Sequence, residues 1–273
     1  MKIVDAHVHA SGRETAAEIL GALDEAEVEV ACILAPFLTP PYSLHDGPSL
    51  RAANDHVARL VRGHGDRLVG FAVVNPSLPG AAEEVQRAAG LGLRGLKLVP
   101  AGWYPYEEAA LAVYAAAEAA GLPVLFHSGV FIDGRSSRFC RPAYCEAVRS
   151  TPGLRVTLAH LGWPWSDEAI AVALIDRIRG LRPQDCQFRL DLSFGPPPPY
   201  RQQVVGRAWQ VLGADLLVYG SDRFLPCRGR DLRQAHSQVR ALLEGLGLSD
   251  GEVRQVLGEN ALAWLRIGPP PAV

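Results

Sequence analysis

Short, nearly continuous apolar runs alternate with longer stretches of helical periodicity from one end of the chain to the other. Strand-like runs fall at 3–8, 28–34, 68–74, 93–99, 123–126, 154–159, 187–192 and 216–219. Runs this apolar fit strands buried on both faces. Between them the pattern predicts helices at 14–26, 50–62, 81–89 and 107–120, the last ended by Gly121, a residue that commonly follows a helix. The second half continues with helices at 142–149, 168–178, 201–212, 232–246 and 252–265. Four consecutive prolines, Pro196 to Pro199, predict a stiff loop before the helix that starts at Arg201.

The strand ends recur about every 30 residues, the size of one βαβ unit. Eight such units predict an α/β fold, a closed (β/α)8 TIM barrel forming a single domain over 1–267, with 268–273 as a frayed tail. An open doubly wound sheet is the structural alternative, weakened because no GxGxxG-type loop follows the first strand. The 273 residues match the usual size of such a barrel. Hydrophobic residues at 48% and charged residues at 21% fit a globular core. A net charge of -2 argues against nucleic acid or an anionic membrane as partner, since both call for a basic surface. A small-molecule substrate remains, and a homo-oligomer is compatible with the sequence. No apolar run is long enough to suggest a membrane span, and the start lacks signal-peptide features. Five cysteines without CxxC spacing fit reduced thiols in the cytoplasm.

The chemistry-bearing residues sit at the strand ends, where a barrel of this type keeps its active site. The first strand carries Asp5-Ala6-His7-Val8-His9. Alternation along a strand turns His7 and His9 to one side, where two imidazoles can hold one Zn, Fe, Ni or Cu ion. Lys97 lies on the fourth strand, His127 ends the fifth, His160 the sixth, Asp191 and Ser193 the seventh, and Asp222 the eighth. Each has an ordinary structural explanation alone: a hydrogen-bonded histidine, an Asp222 capping a turn or pairing with Arg223, a snorkelling lysine. Polar groups at five strand ends together point to a metal site.

With these motifs the chain resembles the amidohydrolase superfamily of metal-dependent barrels. It is most similar to the amidohydrolase-related group that includes the aminocarboxymuconate-semialdehyde and resorcylate-type decarboxylases. The resemblance runs through Asp5-Ala-His7-Val-His9, Gly95-Leu-Lys97-Leu, His127-Ser-Gly129, Ala159-His160-Leu-Gly162, Gly220-Ser-Asp222 and Glu259-Asn260-Ala261. It implies that His7, His9 and His127 bind a tightly held divalent metal, with Asp222 as ligand or base. It also implies that His160 faces the substrate as acid, base or electrostatic stabiliser. The chain departs from the group after Asp222, where Arg223 and Phe224 precede a later Pro226.

Such parts can activate water for hydrolysis of an amide, lactone or ester of a small carboxylate-bearing substrate. Hydrolysis is the favoured expectation, because many superfamily hydrolases place a metal-bridging carbamylated lysine where Lys97 stands. Decarboxylation of an aromatic or unsaturated acid is the alternative, and a non-catalytic binding protein the third. One ion, with zinc first, is expected over two. Trp103, Tyr104, Tyr106, Trp163 and Trp165 in the loops suggest a planar substrate, and Arg135, Arg138 and Arg223 are candidate grips for its carboxylate.

Overall fold

The computed structural model describes residues 1–267. The predicted tail at 268–273 lies outside the described residues. The sheet strands are β1 (Val4–His9), β2 (Val30–Leu34), β3 (Leu68–Val74), β4 (Gly95–Leu98), β5 (Val124–Phe126), β6 (Val156–Leu158), β7 (Phe188–Asp191), β8 (Leu217–Val218) and β9 (Arg223–Phe224). All pairings are parallel, in the order β8-β7-β6-β5-β4-β3-β2-β1-β9. β8 and β9 are two halves of one eighth strand. Between and beyond them, Ala6 N donates to Tyr219 O (3.1 Å), Asp222 N to His7 O (2.8 Å) and Leu225 N to His9 O (2.8 Å). These bonds run from the eighth strand to the first and close the ring as an α/β TIM barrel.

The helices form the outer layer: α1 (Ala16–Ala26), α2 (Gly47–Val61), α3 (Ala81–Gly90), α4 (Glu108–Ala119), α5 (Ser166–Ile178), α6 (Pro198–Leu212) and α7 (Gly229–Gly245). The segment after β5 is a 3-10 turn series at Pro142–Ser150 rather than an α-helix. α1 begins where Thr15 and Glu18 satisfy each other's backbone donors in a capping box. α6 corrects the expectation of a proline loop up to Arg201. Pro198 and Pro199 form its first turn, where proline needs no N–H donor and its fixed φ suits the helix.

One apolar cluster fills the space between barrel and helices; a second fills the barrel itself. The inner cluster takes Val4, Ala6, Val30, Cys32, Leu34, Val69, Phe71, Leu125, Ala159 and Val218 from the strands. Its floor is Trp264 from the last helix, α8 (Asn260–Leu265), fully buried against Phe71 with ring centroids 5.6 Å apart. Val4 and Ala6 point inward, so plain alternation would turn His7 outward. The β1–β2 register shifts between Asp5 and Val8, and Val8 joins the outer cluster. This bulge re-aims His7 and His9 into the barrel mouth, a usual role for an extra residue in a strand.

Candidate metal centre and active site

His7 and His9 leave β1 on the inner side, at the C-terminal end of the barrel. His7 Nε2 lies 3.1 Å from His9 Nε2 and 3.2 Å from Asp222 Oδ1, and His9 Nε2 lies 3.1 Å from the same oxygen. These three atoms make a nearly equilateral triangle. Ligands about 2.0–2.2 Å from a single ion form a face of this size, so the donor set fits one divalent metal.

The other side of His7 supports that fit. Its Nδ1–H donates to Asp191 Oδ2 at 2.8 Å, with both groups fully buried. That bond fixes the tautomer and leaves the Nε2 lone pair aimed at the triangle, the arrangement ligating histidines commonly show. Ser193 Oγ donates to Asp191 Oδ2 and takes the remaining space, 3.2 Å from His7 Nδ1 and 3.0 Å from His160 Nδ1. His7, His160 and Asp191 thus form a second converging group. Hydrogen bonds through Ser193 already link these three groups to one another.

Backbone geometry is bent to bring these groups together. His160, Leu161 and Asp222 all have positive φ (61°, 52° and 57°). Such backbone is uncommon outside glycine and concentrates at functional sites. Gly220 lets the eighth strand approach: a Cβ there would stand 2.6 Å from His7 Cβ and 2.8 Å from Asp191 Oδ1. Gly195, at φ 111°, passes so close to His160 that a Cβ would lie 2.6 Å from its carbonyl oxygen.

Burial sets the charge states. It pushes Lys97 down to about 8, against the pull of Asp222 and Asp191. Lys97 is fully buried, with Nζ 3.1 Å from His7 Nε2. Burial also lowers His160 to about 3 and holds His7 and His127 well below the usual imidazole range. For Asp222, burial works to raise the carboxyl, but His7, His9 and His160 outweigh it and hold it well below its ordinary value. Asp5, under His7, is pushed up to about 7 by burial; one oxygen accepts from His7 N and Ser221 N, and the other has no partner.

His127 stands apart from the triangle. Its Nε2 donates to Val130 O at 3.2 Å, and its ring packs edge-on to His160 and Phe131, at 4.9 Å each. It lines the same cavity as His9, Lys97, His160 and Asp222, a space of about 410 Å3. The rest of that lining is mainly apolar: Phe37, Leu38, Val130, Phe131, Ile132, Trp163, Phe194 and Phe224. Of this rim the sequence singled out Trp163 as a substrate contact; for the other residues only their position after strand ends could have pointed to it. Phe224 stacks on His9 with centroids 4.7 Å apart.

Several loop candidates lie elsewhere. Trp103 is buried against Phe126 as a packing residue. Tyr104 and Tyr106 stack on each other and meet Tyr144 edge-on, away from the cavity. Trp165 packs under the Arg141 guanidinium. Arg135 pairs with Asp133, and Arg138 lies over Phe139. Arg223 lines an adjoining groove rather than the cavity.

The sequence matches the amidohydrolase family model over residues 4–267. The chain belongs to the amidohydrolase family. No curated protein matches it significantly. Among solved structures, this amidohydrolase is similar to 2,6-dihydroxybenzoate decarboxylase complexed with 2,6-dihydroxybenzoate, with 15% identity, 98% of this chain and 100% of that chain covered, and a TM-score of 0.70. It is also similar to a 5-carboxyvanillate decarboxylase from Novosphingobium aromaticivorans, complexed with manganese and 4-hydroxy-3-methoxy-5-nitrobenzoic acid (16%, 97% and 96%, TM-score 0.64). A third is a probable 2-pyrone-4,6-dicarboxylic acid hydrolase from Acinetobacter baumannii with citric acid bound (15%, 98% and 100%, TM-score 0.63). At these identities the likeness shows a shared barrel. Among the described residues no helix is long and apolar enough to cross a membrane.

Proposed function

We propose that this amidohydrolase removes carbon dioxide from a planar aromatic or unsaturated carboxylic acid, with one divalent ion held by His7, His9 and Asp222 and flanked by His127. The observation that carries this reading is the cavity wall. It is largely apolar, and among the described residues Lys97 is its only lysine or arginine. When bound, the ion supplies a Lewis acid for substrate oxygens; manganese, present in one similar structure, and zinc both suit such N and O donors.

The chain's own groups do the rest. Trp163, Phe37 and Phe224 offer faces and edges for a flat ring. Lys97 Nζ supplies a short-range positive charge for the carboxylate. The apolar wall disfavours a localised anion and so favours the step in which its charge spreads. Burial keeps His160 neutral, and its Nδ1 is held by Ser193. The acid arrives as its carboxylate. The bond from ring carbon to carboxylate breaks, the electron pair stays on carbon, and carbon dioxide leaves. A proton from solvent, relayed at His160 Nε2, takes its place on that carbon.

Hydrolysis is the second reading, and Lys97 favours it. An amine lowered to about 8 has a neutral fraction at neutral pH, which is the form that reacts with carbon dioxide to a carbamate. Screening metal-loaded protein against hydroxybenzoates and other aromatic acids, and in parallel against lactones and activated esters, separates the two. Carbon dioxide release with inert esters is the expected result. Ester or lactone turnover alone, requiring bicarbonate, would overturn the decarboxylase reading.

A further inference from the structure

Beside the active-site cavity lies a groove of about 540 Å3 between the loop after β7, the eighth strand and α7. The two spaces share Trp163, Phe194, Gly195 and Asp222 as a common wall. The groove is basic. Arg201, from the second turn of α6, and Arg223, from β9, both line it, and among the described residues Asp222, turned to the ligand triangle, is the only acid in its lining.

Arg201 is half-buried. Its Nη2 donates to Leu192 O at 2.5 Å and its Nη1 reaches Phe194 O at 3.5 Å. A guanidinium has five N–H donors, so most of the fork is left over. Among the described residues, neither Arg201 nor Arg223 has a carboxylate within 4.0 Å, whereas Arg177 and Arg207 nearby each hold one. A half-buried guanidinium facing a cavity without a counter-charge is arranged for an anion that is not part of the chain.

We propose that this groove seats a second carboxylate of the substrate, so that the enzyme takes an elongated dicarboxylate with its reacting end at His7, His9 and Asp222 and its far end on Arg201 and Arg223. The inference rests on the active-site reading above, and deepens it by naming the substrate class. Arg201 sets specificity and Arg223, exposed at the rim, adds attraction. The shared wall of Trp163, Phe194 and Gly195 lies where the middle of such a molecule would pass.

The test measures binding without turnover, so it stands apart from the question of which reaction occurs. Manganese-loaded protein is titrated by calorimetry with isophthalate, 4-carboxyphenylacetate and biphenyl-4,4'-dicarboxylate, and with the matching monoacids. At least one diacid should bind about tenfold or more tightly than its monoacid, the size of a good charge-assisted pair. Arg201→Gln should erase that preference while leaving monoacid affinity intact, Arg201→Lys should restore part of it, and the surface variant Arg223→Gln should reduce it severalfold. Equal binding of diacids and monoacids by the wild type overturns the proposal. So does equal weakening of both by Arg201→Gln, which would make Arg201 a clamp for the loop carbonyls. Sulfate should compete with the diacid; if it instead strengthens monoacid binding, the groove serves a free anion and the dicarboxylate assignment falls. A protein that passes these tests yet releases no carbon dioxide would refute the decarboxylase reading alone.

Discussion

Replacing Asp191 by Asn probes the link between the seventh strand and metal affinity. In the native chain the carboxylate accepts from His7 Nδ1 at 2.8 Å and from Ser193 Oγ, at a site with no exposure for either Asp191 or His7. The carboxylate can only accept, so His7 must carry its proton on Nδ1 and present a bare Nε2. An amide can turn its NH2 toward His7. Nδ1 would then accept, the proton would move to Nε2, and that hydrogen would point into the triangle with His9 and Asp222. A hydrogen bond to a charged group contributes about 1.5–3 kcal/mol, and about 1.4 kcal/mol is tenfold in affinity. The variant should therefore bind manganese or zinc roughly 10- to 100-fold more weakly, as for other losses of a ligand's supporting carboxylate. Competition against a chromogenic chelator reads the affinity directly, and thermal melting of the metal-free protein checks that the variant folds. Ser193→Ala, which keeps the His7–Asp191 bond, should cost only a few-fold. A folded Asp191→Asn protein with metal affinity within twofold of wild type would refute the reasoning.

Two further perturbations test the buried charges around the site. Glu14 accepts from Ser11 N, Ser11 Oγ, Gly12 N and His56 Nε2 just past β1; burial alone would raise its carboxyl, but these partners lower it from 4.5 to about 2. A lowered carboxyl adds stability above its unfolded pKa and loses it as pH falls from about 4.5 through 2, so Glu14→Gln should cost on the order of 2–3 kcal/mol at pH 7 and progressively less below pH 4.5; a cost unchanged from pH 7 to 3 would count against it. Lys97 is the opposite case: its folded pKa of about 8 lies below the ordinary 10.5, so its charged form destabilises the fold below pH 8 and this penalty fades as pH rises to 10.5. Lys97→Met should raise the melting temperature of metal-free protein at pH 7 by roughly 5 °C while abolishing turnover, with the gain gone near pH 10.5; a lower melting temperature at pH 7 would contradict the sign.

Much of the barrel was legible because burial on both faces makes each strand an apolar run. The third strand matches at both ends, Leu68–Val74. The eighth does not: its apolar run is real, but just beyond it Asp222 adopts left-handed backbone, and the ladder is split into Leu217–Val218 and Arg223–Phe224. No local propensity marks that break, since what holds Asp222 there is pairing with β1 from the other end of the chain. The proline run misled for a different reason. Proline stops a helix in its middle but suits its first turn, and the sequence alone does not say which side of that boundary Pro198 occupies.

The candidate site divides along the same line. His7, His9, His160 and Asp222 could be picked out because strand ends at one face of a barrel face one another, whatever the sequence distance between them. Simple alternation reached the correct side for His7 and His9 through a register it did not contain: Val4 and Ala6 also face inward, and only the bulge before Val8 reconciles the two pairs. The supporting partners were harder to read. Asp191 and Ser193 stood at a strand end, but their role depends on a contact with His7 across 184 residues and on the close approach that Gly220 permits. An Ala at 220 would meet His7 Cβ and Asp191 Oδ1 at under 3.0 Å, so the glycine and the tautomer of His7 are one structural fact. The candidate metal triangle is thus built by three strands at once. β1 supplies two imidazoles, the broken eighth strand bends Asp222 toward them, and β7 fixes which nitrogen of His7 is bare.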